Sequence, residues 1–185
     1  MTAKTFLTLE EFWALPEGET TYELVDGEAI PKVSPKEFHS MLTFALTTLL
    51  THWAKNRGRV RLEWAINLKR RGVDWAPVPE VTYVSYERFP DKKPRRNEAC
   101  PVAPELVIEI ISPGQTLIEF ENKAKDYLAV GVSRVWVVDP EAMSIRVFFP
   151  DGNVIFYHQD MPIVDTLLPG LELTTRQIFE EAELI

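Results

Sequence analysis

The stretch "LVIEIISPGQTLIEFENKAKDYLAVGVSRVWVVD", residues 106–139, decides the fold. It opens on an apolar run, 106–111, interrupted by one acid, Glu109. Thr116-Leu117-Ile118-Glu119 is a capping-box pattern, in which a hydroxyl and a Glu three residues on satisfy free backbone N–H groups. It predicts a helix over 117–130. A second apolar run then predicts a strand over 135–139. Strands covered on both faces read as continuous apolar runs, and strand–helix–strand implies a parallel pair joined by a right-handed crossover. The expected class is α/β, or α+β, with a mixed sheet.

Outward from this unit, helix starts are the clearest local signals. Thr8-Leu9-Glu10-Glu11 fits a capping box, and so does Ser34-Pro35-Lys36-Glu37, which also puts Pro35 at the first helical position. Phe38, Met41, Leu42, Ala45, Leu49 and Trp53 recur at helical spacing, predicting a helix over 35–57 that stops at Gly58. Thr174-Thr175-Arg176-Gln177 opens a short last helix. Strands are expected at 22–25 and 28–33 around Asp26-Gly27, at 59–69, at 81–86, and at 144–149 and 154–158 around Asp151-Gly152. Asp-Gly between apolar runs is a hairpin signal. The segment 87–104, rich in Pro, Lys and Arg, reads as a loop.

The 185 residues fit one domain over 1–185. Apolar residues make up 45% and charged residues 26%, as in an ordinary globular protein, and no run is long enough to span a membrane. The first fifteen residues lack a signal-peptide pattern, and one cysteine, Cys100, excludes an intrachain disulfide or a cysteine zinc cage, so a cytoplasmic location is expected. The net charge of −8 weighs against a protein that coats nucleic acid, yet leaves room for a nuclease with an acidic site.

Glu109 shares a strand face with Val107 and Ile111. An ionised carboxylate on a covered face costs several kcal/mol unless it is paired or binds metal. A salt bridge to a helix Lys or Arg is one solution. A metal site is the other, and it needs a second acid from a neighbouring strand. Glu80, directly before Val81, and Asp74 are candidates, and each also fits a solvated loop. Two carboxylates with water and a phosphate oxygen suit Mg²⁺ or Mn²⁺. On the following helix Leu117, Phe120, Ala124, Tyr127 and Leu128 form the inner face; Lys123 and Lys125 border its two edges, and geometry does not choose between them.

"YELVDGE" (22–28), "SPKEFH" (34–39), "VPEVTYVS" (78–85), "APELVIEIISPG" (103–114), "NKAKDYLAVGVSRVWVVDPE" (122–141) and "LLPGLEL" (167–173) occur in one order. Together they resemble the Uma-type family of restriction-endonuclease-like proteins in the PD-(D/E)xK nuclease superfamily. The resemblance implies a mixed sheet flanked by helices, with an N-terminal β-hairpin and a carboxylate–magnesium site. It places the first acid on Glu80, where the family usually carries Asp, and the second on Glu109. The superfamily lysine would fall on Ile111; in this family it moves to the next helix, which selects Lys123, four residues before Tyr127. Glu23 matches a family acid that would bind a second metal or hold Lys123, and reads otherwise as a cross-strand hairpin residue. His39 matches a family histidine, and reads otherwise as a core-edge residue.

The expectation is a Mg²⁺- or Mn²⁺-dependent endonuclease acting on nucleic acid, DNA foremost, with Glu80 and Glu109 as metal ligands and Lys123 and Glu23 completing the site. It carries no membrane partner and works as a homodimer or higher homo-oligomer. The alternative is a nuclease fold that has lost the chemistry and binds or regulates. Lys92, Lys93, Arg95 and Arg96 are phosphate-contact candidates or a solvated loop. The tryptophans Trp13, Trp53, Trp64, Trp75 and Trp136 read as core or interface, and Ser112 as a turn residue.

Overall fold

The computed structural model describes residues 6–16, 18, 20–91, 93 and 98–185. In chain order the elements are α1 (Leu9–Trp13), β1 (Tyr22–Val25), β2 (Glu28–Pro31), α2 (Glu37–Trp53), β3 (Gly58–Leu62), β4 (Leu68–Arg70), β5 (Val73–Trp75) and β6 (Val81–Ser85). There follow β7 (Leu106–Ile110), α3 (Leu117–Ala129), β8 (Arg134–Asp139), β9 (Ser144–Phe148), β10 (Val154–His158), β11 (Pro162–Ile163), β12 (Leu173–Thr174) and α4 (Thr175–Glu181). The six-stranded central sheet runs β10-β9-β8-β7-β6-β3. Only β7 and β8, the pair joined through α3, run parallel in it; the other neighbours are antiparallel. The class is therefore α/β with a mixed sheet, as the 106–139 stretch predicts. Among the described residues no helix is long and apolar enough to cross a membrane.

Alternation along β7 assigns the two layers. Leu106, Ile108 and Ile110 join a core with Leu42, Leu46 and Leu50 of α2 and Ile178 and Phe179 of α4. Val107 faces the other way, into a core with Phe120, Ala124 and Tyr127 of α3 and Trp75 of β5. Burying aliphatic and aromatic side chains on both faces contributes roughly 1.5–3 kcal/mol for each one fully removed from water. Glu109 has the parity of Val107, so it points into the α3 layer. The capping boxes at Thr8, Thr116 and Thr174 all form.

Several local expectations are corrected. The second helix starts at Glu37, not Pro35: Lys36 is its extended N-cap with no side-chain bond, and Lys32 N–H, donating to Thr21 O at 2.9 Å, ties the preceding segment to the hairpin. Its buried stripe is His39, Leu42, Ala45, Leu46 and Leu50, while Phe38 is 58% exposed. The expected strand over 59–69 breaks after Leu62, where Glu63 turns to φ 41° and donates its N–H to Glu80 O. A hairpin then forms, β4–β5, turning at Arg71 (φ 51°) and Gly72 (φ 81°). An arginine in the left-handed region is uncommon, so Arg-Gly carries less of a turn signal than Asp-Gly. Of the basic loop residues, Lys92, Arg95 and Arg96 lie outside the described residues; Lys93 is exposed. Trp75 and Trp136 are core, whereas Trp13 is half-exposed.

Gly58 lies against the Val84 carbonyl and the Tyr83 ring so closely that a Cβ has no room. Gly58→Ala is expected to destabilise the protein by about 1–3 kcal/mol through overpacking. Thermal unfolding checks this, and an unchanged midpoint would show that β3 and β6 separate at no cost.

Candidate active site

Strand register brings the two acids together. β6 pairs with β7 as Val81↔Ile108, Thr82↔Val107 and Tyr83↔Leu106. Carried one step past its last pair, that register sets Glu80 opposite Glu109. Directly opposed residues of antiparallel strands lie within side-chain reach. Both carboxylates are buried, Glu109 with 3% of its surface exposed and Glu80 with 5%. Oε2 of Glu80 is 3.4 Å from Ile110 N, the residue after Glu109.

The N-terminal hairpin and α3 close around this pair. Leu24 and Ala76 exchange backbone hydrogen bonds at 3.1 and 3.0 Å, which docks β1 against the end of β5. Its neighbour Glu23 then accepts from Val78 N–H at 2.7 Å and from Lys123 Nζ at 3.0 Å, both on Oε1. Lys123 Nζ is also 3.0 Å from Oε1 of Glu109, and the Tyr127 hydroxyl donates to that same oxygen at 2.7 Å. Positions 123 and 127 are one helical turn apart and share a face, so one turn of α3 supplies both. Lys125, on the other edge, is exposed.

Glu80 has its own partners. Lys32 Nζ is 3.1 Å from its Oε1 and also donates to Val78 O at 2.7 Å. His39 Nε2, from α2, is 3.4 Å from the same Oε1. The structure thus gathers Glu80, Glu109, Lys123 and Glu23, together with His39. It leaves Asp74 out: that carboxylate accepts from Leu9 N–H at 3.0 Å and lies 3.6 Å from Lys69 Nζ. Lys32 is a site neighbour that the motifs alone do not single out, and Tyr127, the motif landmark for Lys123, is itself part of the site. Ile30 pairs with Glu23, so Lys32, two residues on, has the parity of Glu23's hairpin face. That parity is the signal that could have found it.

The electrostatics follow from burial. Burial pushes the Glu109 carboxyl up to about 8, against the pull of Lys123 and with Glu80 and Glu23 adding repulsion. Burial also opposes ionisation of Glu80, but the His39 hydrogen bond and the Lys32 and Lys123 charges overcome it and hold that carboxyl down at about 2. Burial alone would lower Lys123; the Glu109, Glu23 and Glu80 carboxylates instead hold its ammonium above the usual lysine range. Two buried acids driven in opposite directions, beside a fixed cation, is the pattern expected where a protein keeps reactive groups out of water.

The donor set fits a hard divalent ion. Oε2 of Glu109 has no hydrogen-bond partner among the described residues, and Oε2 of Glu80 has only the long contact to Ile110 N–H. Among the described residues no three His, Cys, Asp or Glu side chains form a ready-made metal cage. Two carboxylate ligands with the remaining positions left to water and substrate oxygens is the manner in which Mg²⁺ is usually held.

A family model, Uma2, described as "Putative restriction endonuclease", matches residues 9–176. Among solved structures the chain is similar to the crystal structure of a "putative nuclease belonging to DUF820" from Anabaena variabilis. The TM-score is 0.81 at 24% identity, over 95% of this chain and 99% of that one, a likeness of fold. No curated protein matches the chain.

Proposed function

The chain belongs to the Uma2 family, and from that membership we propose that it is a nuclease that hydrolyses phosphodiester bonds of nucleic acid, DNA foremost, with Mg²⁺ or Mn²⁺. The observation that carries this reading is the opposition of Glu80 and Glu109 across β6 and β7, each with an oxygen left for a ligand and Lys123 alongside. Glu80 and Glu109 would hold the ion. A divalent ion there supplies Lewis acidity, lowering the pKa of water and drawing charge from a phosphoryl oxygen. Lys123 neutralises negative charge building on the phosphate, where a preplaced cation in a dry site is most effective. Glu23 fixes Lys123 in place, and Tyr127 orients the Glu109 carboxylate. Incubation with supercoiled and single-stranded circular DNA in Mg²⁺, Mn²⁺ or EDTA tests this. Metal-dependent cleavage by wild type that Glu109→Ala loses supports it; equal cleavage by both overturns it.

A second reading, a nuclease fold retained as a binding module, draws on one observation: the Lys32 ammonium already occupies Oε1 of Glu80. Under the nuclease reading Lys32 competes with the metal. Removing one positive charge about 4 Å from a divalent ion strengthens its binding by about 2 kcal/mol at the dielectric of water, roughly thirtyfold. Lys32→Met is therefore expected to tighten manganese binding, measured by calorimetry. No binding by either form would favour the module.

A further inference from the structure

A groove of ≈1000 Å³ lies beside the carboxylate cluster. Trp13, Tyr22, Trp64 and Arg61 line it, and its border includes Glu63 and Val78. Those last two residues connect it to the site. Lys32 Nζ is 3.5 Å from Glu63 Oε1 and 2.7 Å from Val78 O, and 3.1 Å from Glu80 Oε1. One end of the groove therefore lies a single side chain away from the acid pair.

The aromatic walls are set in advance. Trp13 is 47% exposed and Tyr22 43%. The Trp13 indole N–H donates to Asn67 Oδ1 at 3.2 Å, and the Trp64 indole N–H donates to Glu98 O at 2.9 Å. Each indole is thus anchored by its edge, and less rotamer freedom remains to be lost when a ligand stacks on it. Arg61 is exposed, and its one hydrogen bond among the described residues runs to its neighbour's carbonyl, Val60 O, at 2.8 Å. Its guanidinium retains donors for an anion.

The aromatic lining decides which nucleic acid fits. A duplex keeps its base faces stacked on one another and offers a protein chiefly its phosphates. Base stacking on aromatic side chains contributes roughly 1–3 kcal/mol per base, in addition to phosphate contacts. Stacking requires unpaired bases.

We propose that this groove binds an unpaired strand of the nucleic-acid substrate, stacking bases on Trp13, Tyr22 and Trp64, placing a phosphate on Arg61, and leading the backbone to Glu80 and Glu109. The proposal rests on the nuclease reading above for what happens at the end of the groove. The binding itself can be measured without cleavage.

Fluorescence anisotropy in EDTA, with a labelled thymidine oligonucleotide and a duplex of equal length, tests it. Wild type is expected to bind the single strand at least tenfold more tightly than the duplex. Trp13→Ala is expected to weaken single-strand binding roughly tenfold or more, and Trp13→Phe to restore most of it. Arg61→Gln is expected to flatten the salt dependence, and this exposed side chain keeps the test valid if Trp13→Ala unfolds. Equal affinity for duplex, or unchanged binding by a folded Trp13→Ala and by Arg61→Gln, overturns the proposal. Metal-dependent cleavage together with unchanged binding would discard the groove and keep the nuclease. Loss of binding in Trp13→Ala without cleavage of any substrate would keep the groove and discard the chemistry.

Discussion

Glu109→Gln is expected to lower cleavage by roughly 10²-fold or more, yet to leave the metal-free protein as stable as wild type or more so. The loss of rate follows from the ligand: an ion acting as a Lewis acid is worth several kcal/mol of transition-state stabilisation, and each 1.36 kcal/mol is about tenfold in rate. The retained stability follows from burial. Glu109 is an acid the fold strains to ionise, with its carboxyl pushed up to about 8 by burial above all. Glutamine has nearly the same shape, keeps an oxygen to accept from the Tyr127 hydroxyl, and carries no charge to desolvate. The sign of the pH dependence is fixed by the same shift. Below about 4.5 both folded and unfolded states bind the proton; between there and about 8 the unfolded state has released it and the folded state has not. Metal-free wild type therefore loses stability as pH rises through that window, and Glu109→Gln is expected to remove this component. Denaturant melts in EDTA at several pH values check it. A Glu109→Gln protein that is markedly less stable near neutral pH would show that Glu109 is a structural ion pair first.

Lys123→Met is expected to do the reverse, costing both activity and about 2–4 kcal/mol of stability, since removing the cation leaves the largely buried Glu23 carboxylate without its partner. Lys123 lies 3.0 Å from both Glu109 and Glu23, and its side chain is only 24% exposed. Methionine fills most of the space, so the loss reports charge rather than a cavity. The double variant Lys123→Met/Glu109→Gln is the sharper experiment. Above about pH 8, where the Glu109 carboxyl of wild type ionises, Glu109→Gln leaves Lys123 less charge to compensate, and a coupling of about 1–2 kcal/mol is expected there. Strict additivity in chemical denaturation would show that the two side chains do not sense each other.

Much of this arrangement is legible because it is local. The acid inside an apolar run, the Thr116 capping box and the second apolar run define β7, α3 and β8 within one continuous stretch, and their parity puts Glu109 toward α3. The helical wheel does not choose between Lys123 and Lys125, since both border the inner face; the family motif separates them, and the structure places Lys123 against Glu109 and Lys125 in solvent. The contributions of Lys32 and His39 are long-range. Lys32 reaches Glu80 because the hairpin docks through Leu24 and Ala76, a contact that no local pattern announces. The β4–β5 turn is illegible for a different reason: it uses Arg71 at positive φ, where turn chemistry favours Asn, Asp or Gly. The helix expected from Pro35 starts at Glu37, after an extended Lys36 N-cap that makes no side-chain hydrogen bond.

The most direct test of the central claim, that Glu80 and Glu109 form a divalent-metal site, is a calorimetric manganese titration of wild type and Glu109→Ala. Circular dichroism establishes that both are folded. The account predicts binding by wild type that disappears in Glu109→Ala. Equal binding by the two proteins, or none by wild type up to millimolar manganese with an oligonucleotide present to supply phosphate oxygens, would contradict it.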